Sequence, residues 1–271
     1  MAYKKYFTFS FDDGLEQDKK IIRILKEYGM YGCTFNLNAG LLGSKKAMGR
    51  ISEYGFAEKD DLTVLNKKHH LVHYVEEFRI PADEIAQVYE GFEIAGHAYR
   101  HENLKKLSGK ELETCIRKDT EELRRITGQS IRGYAYPFGA CSDEAISVLK
   151  NNGILYARTT MPGKGFGLPD NPYKLAPTCW MGQKETFDLV EKFLNTVPTE
   201  QDQMFCVWGH GYEFDFGTER NNWDNLKRLC QMVSDREDIT SCTITEFLME
   251  REERRESETE CHSPSFTTRT P

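Results

Sequence analysis

The chain has 271 residues, 39% hydrophobic and 12% aromatic, which is enough apolar surface for one large core. Its net charge of −7 argues against a nucleic-acid partner and gives no support for docking on an acidic membrane. No stretch approaches the length of a membrane-spanning helix, and Met1-Ala2-Tyr3-Lys4-Lys5 enters the first strand without an apolar leader, so a cytoplasmic protein without membrane insertion is expected.

Tyr6 to Phe11 alternates bulky β-formers with small polar residues and reads as a strand. It stops at Asp12-Asp13-Gly14. Neighbouring side chains on a strand point to opposite sides, so one carboxylate can bind a metal while the other faces an attacking water. Asp-Asp-Gly is also an ordinary turn sequence. Leu15 to Tyr28 reads as a helix with Ile21, Ile22, Ile24 and Leu25 on its apolar face, ended at Gly29. Cys33 to Leu37 is the second strand.

Residues 41–80 are too long for a simple connection. They hold Lys67-Lys68-His69-His70 and His73, and a substrate-covering excursion or a surface insertion is expected there ahead of a second metal site. After the strand-like run Phe92 to Ala95 come His97 and His101. On one helical turn that spacing puts both imidazoles on one face, which suits a pair of zinc ligands and equally a solvated helix surface.

The rest of the chain keeps alternating. Ser108-Gly109-Lys110-Glu111 has the form of a capping box, opening a helix through Arg125 that ends near Gly128. Ile131 to Tyr136 is a strand stopped by Pro137 and Gly139, and Ser142 caps a helix to Lys150. Ile154 to Thr159 is a strand, Glu185 to Leu194 a helix, Met204 to Trp208 a strand, Trp223 to Val233 a helix and Ile239 to Ile244 a last strand. From Glu250 the composition becomes Arg-Glu rich and then Ser-Thr-Pro rich, giving a domain of residues 1–249 and a charged helix end with a disordered tail over 250–271. The eight cysteines form no Cys-x-x-Cys pair and sit mostly in apolar runs, so they read as reduced core thiols.

Alternating strands and helices predict parallel β-α units in an α/β barrel, where chemistry gathers at the C-terminal strand ends. Asp12, Asp13, His97, Pro137, Phe138 and His210 all fall at such ends. Four motifs occur in order over roughly residues 4 to 248: Ser10-Phe11-Asp12-Asp13-Gly14, His97-Ala98-Tyr99-Arg100-His101, Ala135-Tyr136-Pro137-Phe138-Gly139, and Phe205-Cys206-Val207-Trp208-Gly209-His210. On these motifs the chain resembles the polysaccharide deacetylases of carbohydrate esterase family 4, which share the NodB homology domain.

The resemblance implies a single distorted (β/α) barrel and a metal-dependent hydrolase that removes N-acetyl groups from an amino sugar or its oligomer or polymer. It implies Asp13, His97 and His101 as ligands of a divalent metal, zinc first, with cobalt or nickel as alternatives on this donor set. Asp12 would be the general base toward the metal-activated water, His210 the general acid, and the Phe138 backbone N–H an oxyanion donor. Trp180 and Trp208 are candidate platforms for a sugar face, or core residues.

Two positions depart from the family pattern. Where many members carry an arginine that steadies the base, this chain has Ala135; Arg158 is the candidate replacement, a surface arginine the alternative. No aspartate lies between Arg158 and Met161 to support His210, and Tyr212, Glu213 and Asp215 remain as residues that line the site or orient it. An O-acetyl ester or small non-sugar amide as substrate, or a sugar-binding barrel without turnover, stays open.

Overall fold

Phenylalanines at alternate positions set the central strand, β1 (Lys5–Asp12), which is buried along its whole length. Phe7, Phe9 and Phe11 join the main core with Ile21 and Leu25 of α1 (Asp18–Glu27) and with Leu226 and Leu229 of α6 (Trp223–Ser234). Tyr6 takes the other face, in a second apolar cluster with Tyr156, Met204, Cys206 and Phe247. Burial on both faces is what a parallel strand covered by helices requires. The computed structural model describes residues 3–48, 75–167, 169 and 171–261.

The main sheet contains β1, β2 (Cys33–Leu37), β5 (Glu93–Gly96), β6 (Gly133–Ala135), β7 (Tyr156–Arg158), β8 (Cys179–Trp180), β9 (Gln203–His210) and β10 (Ile239–Ser241). Its order is β7-β6-β5-β2-β1-β9-β8, with β10 on the first half of β1. Every pairing in it is parallel, and the sheet curls into a half-barrel, the distorted form of (β/α) barrel that the family resemblance implies. Register then aligns the chemistry: Asp12 lies opposite His210 on β9 and opposite Asn36 on β2. Helices α3 (Gly109–Thr127), α4 (Asp143–Asn151) and α5 (Thr186–Asn195) connect successive strands.

Several boundaries move for identifiable reasons. Helix α1 starts at Asp18 rather than Leu15, because the Asp18 carboxylate accepts the Leu15 N–H at 3.0 Å and turns the chain first. Ser108 precedes α3 without a side-chain cap bond, and the Gly109 N–H goes to Glu144 Oε1 at 2.6 Å instead. The last strand ends at Ser241, since Thr243 and Glu246 exchange capping bonds (2.7 and 3.2 Å) and start α7 (Ile244–Cys261). That helix runs through the expected domain edge at 249 and is tied back by Lys4–Glu250 at 2.7 Å and Arg254–Asp202 at 2.6 Å.

Between β2 and β5 the chain adds an antiparallel pair, β3 (Lys45–Met48) and β4 (Val75–Phe78), and a short helix, α2 (Ile85–Val88). The 41–80 insertion begins and ends on this pair; Lys67, Lys68, His69, His70 and His73 lie outside the described residues, as does the tail after Cys261. Cys33, Cys115, Cys141, Cys179, Cys206, Cys230 and Cys242 are free thiols, and burial pushes Cys206 up to about 12. No helix among the described residues is long and apolar enough to cross a membrane.

Gly96, at the end of β5, is closely packed: an added Cβ would sit 2.6 Å from the Tyr134 ring and 2.9 Å from Asp119 Oδ2. Gly96→Ala is therefore expected to cost about 1–3 kcal/mol through overpacking. A urea midpoint unchanged from the parent protein would contradict this.

Candidate active site

At the barrel mouth a cleft of about 1030 Å³ is lined by Asp12, Asp13, His97, His101, Phe138 and His210, with Trp180 and Trp208 among its walls. Asp12 is the last residue of β1, and Asp13 adopts φ 83°. This left-handed residue, rather than strand alternation, brings both carboxylates into one cleft. Ala98 (φ 61°), His101 (φ 59°) and Phe138 (φ 60°) are the other non-glycine residues in that region among those described. All four lie in the motif loops, a concentration of backbone strain of the kind found at functional sites.

The His97–His101 pair does not ride on a helix. Both residues lie in the loop after β5, and the positive φ of Ala98 and His101 folds them together, ring centroids 4.9 Å apart. Below them, Asp119 of α3 accepts the N–H groups of His97 (2.9 Å) and Ala39 (2.8 Å). His97 Nδ1 meets the Ala135 carbonyl at 2.8 Å, leaving Nε2 toward the cleft.

Asp13 Oδ1 stands 4.0 Å from His97 Nε2 and 3.9 Å from His101 Nε2. A tetrahedral ion with bonds of about 2.0–2.1 Å needs ligand atoms about 3.4 Å apart, so each of these two distances would shorten by about half an ångström on binding, within a set whose three donor atoms all lie within 4.8 Å of one another. Protonation suits it as well. Burial, with His97 beside it, lowers His101 to about 4, and burial lowers His97 too, so both imidazoles are neutral at pH 7. Burial raises Asp13, but the charges around it, led by the Arg79 guanidinium, outweigh burial and keep the carboxylate ionised. Two neutral imidazoles and one carboxylate fit a divalent ion with positions left open.

Asp12 sits in a different environment. Its Oδ1 accepts from Arg158 Nη2 and from Asn36 Nδ2 (2.8 Å), while Oδ2 faces His97 Nε2 at 3.9 Å. Arg158 is fully buried, donates from Nε to Ser10 Oγ at 2.9 Å and stacks over Trp208. It is therefore no surface arginine, and it stands against the aspartate that the missing arginine at Ala135 leaves open. Burial opposes ionisation of Asp12, and the charges facing it, Arg158 first, overcome it and hold the carboxyl below its usual range.

His210 ends β9 with Nε2 4.0 Å from Asp13 Oδ2. Its Nδ1 is 2.8 Å from Glu213 Oε1, and Glu213 Oε2 accepts the Trp180 indole N–H at 2.7 Å. Tyr212 stacks on the His210 ring at 5.0 Å, whereas Asp215 turns away to Gln17 and Trp223. Of the three neighbours named from sequence, Glu213 is the one bonded to His210. Burial lowers this imidazole, but Glu213 and the two aspartates more than compensate and lift it to about 9.

Arg79 and Asn36 escaped the sequence reading. Arg79 donates to Asp13 Oδ1 at 3.0 Å and pairs with Glu77. Its one visible signal was a lone charge between Phe78 and Ile80.

The sequence profile described as polysaccharide deacetylase matches residues 2–157, more than half of the chain. The chain belongs to the polysaccharide deacetylase family. Within the family it is 29% identical over 144 residues to a peptidoglycan deacetylase of Helicobacter pylori, covering 48% of each chain. It is 26% identical over 162 residues to the peptidoglycan deacetylase-like protein FGM2 of Gibberella zeae, covering 55% of this chain and 45% of that one. The chain thus spans about half the length of the curated relatives it matches.

Among solved structures, peptidoglycan deacetylase PdaC from Bacillus subtilis superposes with a TM-score of 0.50 at 17% identity, over 96% of this chain and 98% of that one. A carbohydrate esterase family 4 pseudoenzyme from Bacillus anthracis also gives 0.50, at 16% identity, over 91% of this chain and 66% of that one. Both likenesses concern the deacetylase fold, which active and inactive members share.

Proposed function

We propose that this chain is a metal-dependent hydrolase that removes N-acetyl groups from an amino sugar or its oligomer or polymer. The observation that carries this reading is the convergence of Asp12, Asp13, His97, His101 and His210 in one cleft. A pseudoenzyme needs only one of these displaced, so the set and not the barrel supports turnover.

Asp13, His97 and His101 would hold a divalent ion, most readily zinc on two imidazoles and a carboxylate, with cobalt or nickel also accommodated. Such an ion, when bound, supplies Lewis acidity toward the acetyl carbonyl and lowers the pKa of water. Asp12, kept ionised by Arg158 and Asn36 on Oδ1, takes up through Oδ2 the proton that the attacking water loses. The Phe138 N–H donates a hydrogen bond to the carbonyl oxygen as it gains negative charge. His210 then gives its Nε2 proton to the nitrogen as the C–N bond breaks, so the amine departs neutral and acetate remains. Trp180 and Trp208 offer apolar walls to a sugar ring. An O-acetyl ester or a small amide fits the same groups, and the peptidoglycan named in the relatives' descriptions favours an N-acetylated glycan.

The assay that tests this compares acetate release from N-acetylglucosamine oligomers, an O-acetylated sugar and a small N-acetyl amide, with and without chelator. The reading predicts chelator-sensitive release that is fastest on the oligomers. Faster release from the ester or the small amide would reassign the substrate, and none from any of them would leave a binding barrel.

Glu213 gives the proposal a pH signature. A general acid works only while protonated, so activity holds below the His210 pKa of about 9 and is lost as pH rises through it. Glu213→Gln removes the largest stabilising charge and is expected to move the alkaline limb down by more than one unit, toward the ordinary value of about 6.5. A limb that stays in place would remove His210 from the acid role.

A further inference from the structure

The 41–80 insertion delivers its own residues to the ligand cluster. The Ile80 N–H donates to the Gly14 carbonyl (2.9 Å), the Glu16 N–H to the Phe78 carbonyl (2.8 Å), and the Arg79 N–H to Ser44 (3.0 Å). The segment after β4 is thus laced onto the loop that carries Asp13. Arg79 and Glu77 are nine-tenths or more buried, at 6% and 7% exposure, and both line the cleft. Arg79 Nη2 donates to Asp13 Oδ1 at 3.0 Å, and Arg79 Nη1 is paired to Glu77. Arg79 Nε is buried with no partner of its own.

Asp13 Oδ1 is the same oxygen that faces His97 Nε2 and His101 Nε2. We infer that the Glu77–Arg79 pair sets the affinity of the Asp13–His97–His101 cluster for its divalent ion, by sharing the Asp13 carboxylate with a guanidinium. This rests on the metal reading above and adds to it.

The physical basis is charge. A carboxylate oxygen has two lone pairs, so it can accept from a guanidinium and still ligate, but the shared oxygen gives less negative charge to an ion. A buried guanidinium beside the ion also repels it with little screening. Glu77 partly cancels that repulsion. The insertion therefore contributes one residue that weakens binding and a second that moderates the first. The same 3.0 Å hydrogen bond from Arg79 fixes the orientation of the Asp13 carboxylate.

The two members of the pair make opposite predictions. With Arg79→Gln, which keeps a hydrogen-bond donor but removes the charge, zinc affinity should rise about tenfold or more. With Glu77→Gln, the cation is left uncompensated and affinity should fall by about tenfold. Arg79→Lys keeps the charge and should stay near the parent value. Affinities come from competition with a fluorescent zinc chelator on the metal-stripped 271-residue chain, with circular dichroism confirming the fold of each variant.

A parent protein that binds no zinc would sink the metal reading itself. A parent that binds, with Arg79→Gln equal or weaker, would make Arg79 a mere support for Asp13 and overturn the inference. So would a Glu77→Gln protein that binds as tightly as the parent. Opposite shifts in the two folded variants establish it.

Discussion

Asp12→Asn is expected to lower kcat for deacetylation by about 10³-fold while the protein still binds one zinc. The geometry separates Asp12 from the ligands. Its Oδ1 is taken by Arg158 and Asn36, while Asp13 Oδ1 faces both imidazoles. Asparagine keeps the shape and an acceptor oxygen for Arg158, but an amide cannot take a proton from water at neutral pH. Side-by-side kcat and zinc-stoichiometry measurements decide the matter. Loss of the metal together with the activity would make Asp12 a ligand, and retained activity would place the base elsewhere.

His210→Asn should divide substrates by leaving group. An amine needs a proton to depart, so release from N-acetylglucosamine oligomers should fall by about 10³-fold. An activated aryl acetate releases a stable phenolate and should lose less than about tenfold, because Asp12 and the ligand set are untouched. The asparagine amide can still donate to Glu213, which limits disturbance of the wall formed by Glu213 and Trp180. Equal losses on the two substrates would assign His210 to attack or to binding. Rate ratios for both substrates, measured on one preparation, give the answer.

The legible parts of this molecule are those in which chemistry coincides with the end of a strand. Asp12, Asp13 and His210 sit where a β-rich run stops, so sequence alone placed them at a barrel mouth, and β1–β9 register puts Asp12 opposite His210. Cys33–Leu37 was legible as a strand to the residue because Cys33, Phe35 and Leu37 are apolar at alternate positions and the stop at Gly29 isolates it. The conformation of the His97–His101 loop was hidden. A spacing of four suggests a helix turn, and nothing in Ala98-Tyr99-Arg100 announces two left-handed residues.

Arg158 shows a middle case. Its strand-end position was readable, but its burial against Asp12 depends on where β7 lies across the barrel, six places along the sheet order from β8. Glu213 was one of three polar neighbours of His210, and only the short helical turn after β9 selects it over Asp215. Arg79 was beyond reach. Its meeting with Asp13 arises from an antiparallel strand pair laced onto another loop, a tertiary pairing with no periodic trace in the sequence.

The most direct test of the account is to strip the protein of metal and follow acetate release from N-acetylglucosamine oligomers as zinc is added back. The rate should rise in proportion to zinc and level off at one equivalent, with no rise in a folded His97→Ala variant. A rate that ignores zinc, or a His97→Ala protein that responds as the parent does, would contradict a metal-dependent deacetylase centred on Asp13, His97 and His101.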